Sequence, residues 1–352
     1  MSAGSWRSMN EQELTELFRK IGAQQPEIWA RSQIERGIVH FPRDLFLNLA
    51  VGDATQPDDR SWLTKMRSRK PNDPGGEFGP AIDRLLAAGA RADDLTTIVG
   101  IMQMSLLVDL CALLDDPGEL EPEVSDIRWR LFQCAENGAP EAPISGLAET
   151  FYETGPTEAK ARPFWRDETK SSAANAGNWR SMSEQELTEL FRKLGADGPE
   201  GWAHSQITEG IPQLLRYLFL RQASSKVIGP DDRDWMTEIF EEKPEDEAEF
   251  DQAINAVLAT GARAEDLATI VRIMQWFLLF SFCVLLDDGL LFRVDGRHVP
   301  LRELTGFRWC LFQVDENDAP VVPIDGLHES VPEIDPAGRE MRASVGGHVI
   351  HR

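Results

Sequence analysis

The sequence is poor in the motifs that announce chemistry. It contains no G-x-x-x-x-G-K-[ST] loop, no G-x-G-x-x-G, no G-x-S-x-G and no H-E-x-x-H. Glycine-loop nucleotide binding, the serine-hydrolase elbow and the helical zinc-protease site are thereby excluded. Cysteine is sparse too: Cys111, Cys134, Cys283 and Cys310, with no C-x-x-C among them. That excludes a zinc ribbon or a dithiol redox motif, and free thiols in apolar runs act as small hydrophobes. The usage suits a reducing cytoplasm. The opening MSAGSWRSMNEQE lacks a basic-then-apolar signal, so a cytoplasmic location is expected. The apolar run Trp276–Leu286 has 11 residues, short of the roughly 20 that cross a bilayer.

Positive charge is scarce as well. Lys and Arg number 36 against 59 Asp and Glu, for a net charge of −23. The deficit is shared, −10 over residues 1–160 and −13 over the remainder. Such a chain is a poor ligand for nucleic acid or an anionic membrane. An acidic surface keeps a protein soluble, and it also steers a basic partner.

What the chain does have is itself, twice. Gly4–Ala23 returns as Gly177–Ala196 with seventeen of twenty positions identical. Leu85–Gln103 returns as Val257–Gln275 with fourteen of nineteen identical, and Trp129 with Leu131–Gln133 returns as Trp309 with Leu311–Gln313. A period of about 173–180 residues is domain-sized rather than solenoid-sized. The expected organisation is a repeat domain over 1–162, a linker over 163–178, a second repeat domain over 179–342 and a flexible tail over 343–352. Each copy is long enough to bury a core of its own.

Each copy should open on a helix capped through Ser8–Glu11 or Ser181–Glu184 and closed by Gly22 or Gly195. Further helices follow Pro26 and Pro199, and cover about 43–49 and 213–224. Asp58-Asp59 and Asp231-Asp232 start short helices carrying Trp62 and Trp235. The strongest elements are long apolar helices over about 92–116 and 264–288. Ile127–Cys134 and Phe307–Val314 read as strands returning to Ile144 and Ile324, with a helix over 123–132 as the rival for the first. The second copy adds a hairpin over 290–301, turning at Asp295-Gly296. The expected fold is α+β and predominantly α-helical: one helical domain in tandem duplication, each with a central apolar helix and a small C-terminal β-hairpin.

Chemistry must be sought in matched positions. No histidine is matched: Arg31 stands opposite His204, His40 opposite Gln213 and Ala148 opposite His328. Histidine catalysis or metal binding would therefore serve one copy at most. Gln103 and Gln275 are matched amides inside the most apolar helices, suited to a cross-bundle bond or to a ligand. Trp29 with Trp202 and Trp62 with Trp235 are matched core or interface anchors. Asp115-Asp116 and Asp287-Asp288 are weak metal candidates, read first as helix-ending turns. On the long helix, Ser105, Asp109 and Ala112 stand opposite Phe277, Ser281 and Val284. The apolar face at Phe277 should therefore be covered by something the first copy lacks, most economically the added hairpin. No cofactor is implied. The expected function is a non-catalytic acidic binding protein with a basic protein partner, in its concrete form an inhibitor or immunity-type protein that neutralises a basic bacterial effector. The alternatives are a carboxylate- or metal-dependent enzyme and a small-ligand sensor built around Gln103 and Gln275.

Overall fold

The computed structural model describes residues 9–20, 26–36, 40–68, 78–135, 137–154, 179–236, 245–287, 291–294, 297–300 and 308–334. The chain is mostly helical, with one four-stranded antiparallel sheet and a separate two-stranded hairpin. In the first half, α1 (Glu11–Lys20), α2 (Pro26–Arg36), α3 (His40–Gly52), α4 (Ser61–Arg67) and α5 (Phe78–Ala88) lead to the long α6 (Ala92–Asp115). Strands β1 (Arg128–Cys134) and β2 (Pro140–Ile144) and helix α7 (Leu147–Thr154) follow. The second half runs α8 (Glu184–Lys193), α9 (Pro199–Thr208), α10 (Gln213–Ser224), α11 (Glu245–Ala259) and the long α12 (Ala264–Leu286). It continues with β3 (Leu291–Val294), β4 (Arg297–Pro300), β5 (Arg308–Val314), β6 (Pro320–Ile324) and α13 (Leu327–Ile334).

The opening helices are capped two residues later than the first Ser-x-x-Glu match. Ser183 takes the Glu186 N–H on its Oγ, and the Glu186 carboxylate accepts from the Ser183 N–H at 2.8 Å. Asn10 and Glu13 form the same reciprocal box on α1. Two overlapping matches exist in SMSEQE. The earlier one is lost because Trp179–Ser181 winds into a 3-10 turn that buries Trp179. Gly195, at φ 84°, closes α8 as expected, with the Ala196 N–H reaching the Phe191 carbonyl.

Residues Arg128–Cys134 are strand, not helix. The two hairpins do not stay apart, however. They join through β1 and β5 in the order β2-β1-β5-β6. The register places Leu131 opposite Leu311, Trp129 opposite Gln313 and Gln133 opposite Trp309. Matched positions therefore meet at the seam, and the arrangement repeats about the Leu131–Leu311 pair. One sheet face sends Trp129, Leu131, Trp309 and Leu311 into the core. The other carries a small cluster of Phe132, Cys134, Cys310, Phe312 and Val314.

The core does not divide at the linker. Its larger cluster draws on α1, α3, α6, α8, α10, α12 and both central strands. Phe46 of α3 meets Trp309 edge-on at 5.3 Å, and Phe219 of α10 meets Trp129 at 5.6 Å. Each half thus lends an aromatic ring to the other's strand. The helices cross over in the same way: α5 lies on α12, and α11 lies on α6. Arg84 of α5 holds Asp266, 3% exposed at the start of α12, with three hydrogen bonds of 2.6–3.0 Å.

Helices α6 and α12 are long and apolar enough, by length and composition, to cross a membrane, which the 11-residue run alone did not suggest. This is weak evidence, since 67% and 72% of their most apolar windows are buried inside the fold, as in core helices. The added hairpin pairs Phe292 with Val299 and Arg293 with His298 along its backbone; its turn at 295–296 lies outside the described residues, as do the residues of the linker and the tail. Helices α5, α7 and α13, and most of α11, were not foreseen.

Candidate functional site

The matched glutamines face each other across the crossing of α6 and α12. Gln103 accepts the Thr55 N–H at 2.8 Å and donates to the Met274 carbonyl at 2.9 Å. Gln275 accepts the Ile228 N–H at 3.0 Å and donates to the Met102 carbonyl at 3.0 Å. Thr55 and Ile228 are matched positions, as are Met102 and Met274. Both amides are 2% exposed, and each is engaged at its oxygen and its nitrogen. They clamp the two long helices together, and a ligand would have to break that clamp. A small pocket of about 180 Å³ opens one turn away, lined by Thr55, Thr96, Gly100 and Met104, with Glu249 of α11 at its side.

The matched aspartates at the ends of the long helices cap the helices that follow the sheet. Asp115 accepts the Ala148 N–H at 3.2 Å, and Asp287 accepts the His328 N–H at 2.8 Å. Burial raises the Asp115 carboxyl above its usual range, opposed by backbone N–H groups of Ala148, Gly146 and Leu147. Asp116 is exposed and closes its own turn on the Gly118 N–H. Asp288 lies outside the described residues. Among the described residues, no three His, Cys, Asp or Glu side chains gather as metal ligands.

Only the second half adds a histidine to this cap. His328 Nδ1 lies 2.6 Å from Asp287 Oδ2, whose side chain is 4% exposed, and its ring packs edge-on against Phe280. The bond to Asp287 raises the His328 imidazole above its ordinary value, against the opposing effect of burial.

Sequence reading missed the matched arginines beside these caps. Arg43 and Arg216 interrupt apolar helices at the same position, and that interruption in both copies was the available signal. Arg216 is 8% exposed, donates to Asp325 at 3.0 Å and presses on Gly326, whose φ is +66°. A Cβ at Gly326 would collide with the guanidinium. Arg43 reaches the Ser145 carbonyl at 3.5 Å, beside Gly146, and sits 5.7 Å over the half-buried Trp29 ring.

In the second half this corner opens into a cleft of about 660 Å³ between α9, α10 and α13. Trp202, stacked on Phe191 and bonded to the Asp197 carbonyl, forms its wall with Pro332. Asp197, Glu209, Glu329 and Glu333 supply carboxylates around it. Partial burial of its carboxyl raises Glu333 above the usual range, with Arg216 opposing. Below the rim, Gln213 Nε2 donates to Ser205 at 2.9 Å while its Oε1 has no partner; the Arg216 Nε is likewise unpartnered.

The remaining candidates are placed as follows. Trp62 is buried and donates to Thr96 Oγ1 at 3.1 Å. Trp235 packs on Phe250, and its indole N–H is buried without a partner. Phe277 is half-buried and packs against both large core clusters, whereas its counterpart Ser105 is exposed. The hairpin side chains proposed to cover it lie outside the described residues. Comparison with known proteins brings no match to any family, any curated protein or any solved structure.

Proposed function

We propose that the chain is an acidic protein-binding module, formed by tandem duplication, that receives a basic segment of a protein partner. The carrying observation is the cleft between α9, α10 and α13, where four carboxylates surround a tryptophan wall. Carboxylates steer and pair cations. The duplication is supported by the reciprocal contacts of matched residues at the Gln103–Gln275 clamp and the Leu131–Leu311 seam. Such a chain resembles an isologous dimer fused end to end, in which residue i meets j and j meets i. In its concrete form the module is an inhibitor or immunity-type protein that neutralises a basic bacterial effector, fast capture being favoured by the net charge of −23.

Fluorescence anisotropy with an arginine-rich peptide and a glutamate-rich peptide of equal length tests this reading. The basic peptide should bind and weaken steeply with salt, and the acidic one should not bind. Equal binding of both peptides, or affinity indifferent to salt, would overturn it.

A further inference from the structure

We propose that the pocket between α6, α11 and the turn after α3 binds a small organic ammonium ion of about six to eight non-hydrogen atoms, and that the second half has no equivalent site. The inference is independent of the reading of the chain as an acidic module for a basic partner.

Size sets the first limit. The pocket holds about 180 Å³. A cavity of roughly 150 Å³ takes up benzene, so this one admits a single ring or a short chain. Val51, Ile101 and Met104 give it an apolar side for such a body.

The polar lining sets the charge. Thr96 spends its hydroxyl inside the fold, taking the Trp62 N–H and donating to the Ala92 carbonyl. Thr97 lines the same pocket and does not follow it. Its counterpart Thr269 donates to the Glu265 carbonyl one turn back at 2.7 Å. The hydroxyls of Thr97 and Thr55 have no hydrogen-bond partner among the described residues, and neither is sealed from solvent. Glu249 is exposed and in no ion pair with the described residues. No Lys, Arg or His is among the described residues of the lining. Two neutral acceptors and one carboxylate match an ammonium group, which offers three donors and a positive charge. A carboxylate or phosphate would meet only repulsion from Glu249.

The second half fills the matched place. Arg272 and Trp276 stand where Gly100 and Met104 do, and Ile228 stands where Thr55 does. Trp276 is buried. Gly100 has a structural reason of its own, since a Cβ there would come within 3.1 Å of the Thr55 carbonyl oxygen. Glycine thus lets α6 lie against the turn that carries Thr55, and it leaves room beside Thr97. Because α6 belongs to one half and α11 to the other, a ligand that fills the pocket touches both.

Ligand-detected NMR titration of the full chain with benzylamine, benzyl alcohol and benzoate tests the proposal. The three share a ring and differ in charge. Benzylamine should bind about fivefold more tightly than benzyl alcohol, the size of an exposed charge pair, and benzoate should not bind. Glu249→Gln should weaken benzylamine about fivefold and leave benzyl alcohol unchanged. Thr97→Val keeps the shape, removes the hydroxyl and should weaken both severalfold. Both variants lie outside the core and should keep the thermal midpoint. Gly100→Arg installs the residue of the second half and should abolish binding; if it fails to fold, the other two variants still decide. Benzylamine binding that is the same in Glu249→Gln and Thr97→Val overturns the proposal, because diffuse attraction to an acidic surface would then explain it. Equal binding of benzoate overturns it, and so does the absence of binding by all three at millimolar concentration.

Discussion

Trp62 and Trp235 occupy matched positions and pack on matched phenylalanines, yet only one indole N–H is satisfied. Trp62 donates to Thr96; at the position of Thr96 the second half has Ala268, and the Trp235 N–H is left alone. The reverse holds on α3 and α10. Asp44 is 6% exposed with an unpartnered Oδ2, while its counterpart Tyr217 donates to the Leu194 carbonyl at 3.0 Å. Each half carries an unsatisfied buried group whose remedy stands at the matched position of the other. The shared pattern of burial holds the common fold, and a single polar contact of about 1 kcal/mol can drift without losing it. At the glutamine clamp, which joins the halves, both glutamines are kept and each makes the same pair of bonds; the Arg84–Asp266 contact, by contrast, is made once, since Ala256 stands opposite Arg84.

That contrast makes its strongest demand at the clamp. Gln103→Leu strands the Thr55 N–H and the Met274 carbonyl; Gln275→Leu strands the Ile228 N–H and the Met102 carbonyl. At about 1–3 kcal/mol per stranded group, each change should cost about 4 kcal/mol. The two costs should be equal, and the double variant should cost less than their sum because the sites are neighbours. Urea unfolding followed by circular dichroism measures all three. A large cost for one and none for the other would mean that the clamp is not reciprocal.

The glutamines were legible in the sequence because a polar residue in an all-apolar helix stands out. So were the long helices and the strands, marked by local periodicity and β-rich composition. The exchange of partners between halves was not legible. Hydrophobic pattern tells which face of α5 or α11 is buried. The buried faces of α5 and α11 match at Phe78 and Phe250, Ala81 and Ala253, Ile82 and Ile254, and Leu85 and Val257, so packing α5 on α6 or on α12 leaves the pattern unchanged. Helices α7 and α13 escaped because eight residues, with Pro332 inside the second, give too little periodicity. Of the candidate site, Trp202 was legible as a matched aromatic. Gln213 and Arg216 were not, since their importance lies in which atoms go unpaired.

The next largest effect lies at Asp44. Burial pushes its carboxyl up to about 7, with Arg43 opposing. Between its unfolded value near 3.8 and about 7, the folded chain binds the proton more readily. The stability that the protonated group contributes is therefore complete below about pH 4 and is lost as the pH rises through about 7. Roughly three units at about 1.4 kcal/mol each set a ceiling of about 4 kcal/mol. Asp44→Asn abolishes the ionisation but keeps a buried polar group, so a gain of about 2 kcal/mol is expected at about pH 8. No gain is expected at about pH 4, where the wild-type carboxyl is already protonated. Thermal unfolding of both proteins across that range decides it. A gain that does not depend on pH would mean that charge burial is not the first half's defect.

The smallest effect sharpens the comparison most. Ala268→Thr gives the second half the hydroxyl that Thr96 supplies to Trp62 in the first. Thr96 also donates to the Ala92 carbonyl at 2.8 Å, one turn back, and Thr at 268 can do the same to Ala264. The new bond is worth about 1 kcal/mol, against a few tenths lost in helix propensity. The expected outcome is a slightly higher thermal midpoint together with slower exchange of the Trp235 indole proton. The second reading matters because added bulk alone could shift the midpoint in either direction, whereas only a bond to the hydroxyl protects that proton. If the proton exchanges as before, the two tryptophan pockets differ in shape as well as in one oxygen, and the halves have diverged further there than their sequences suggest.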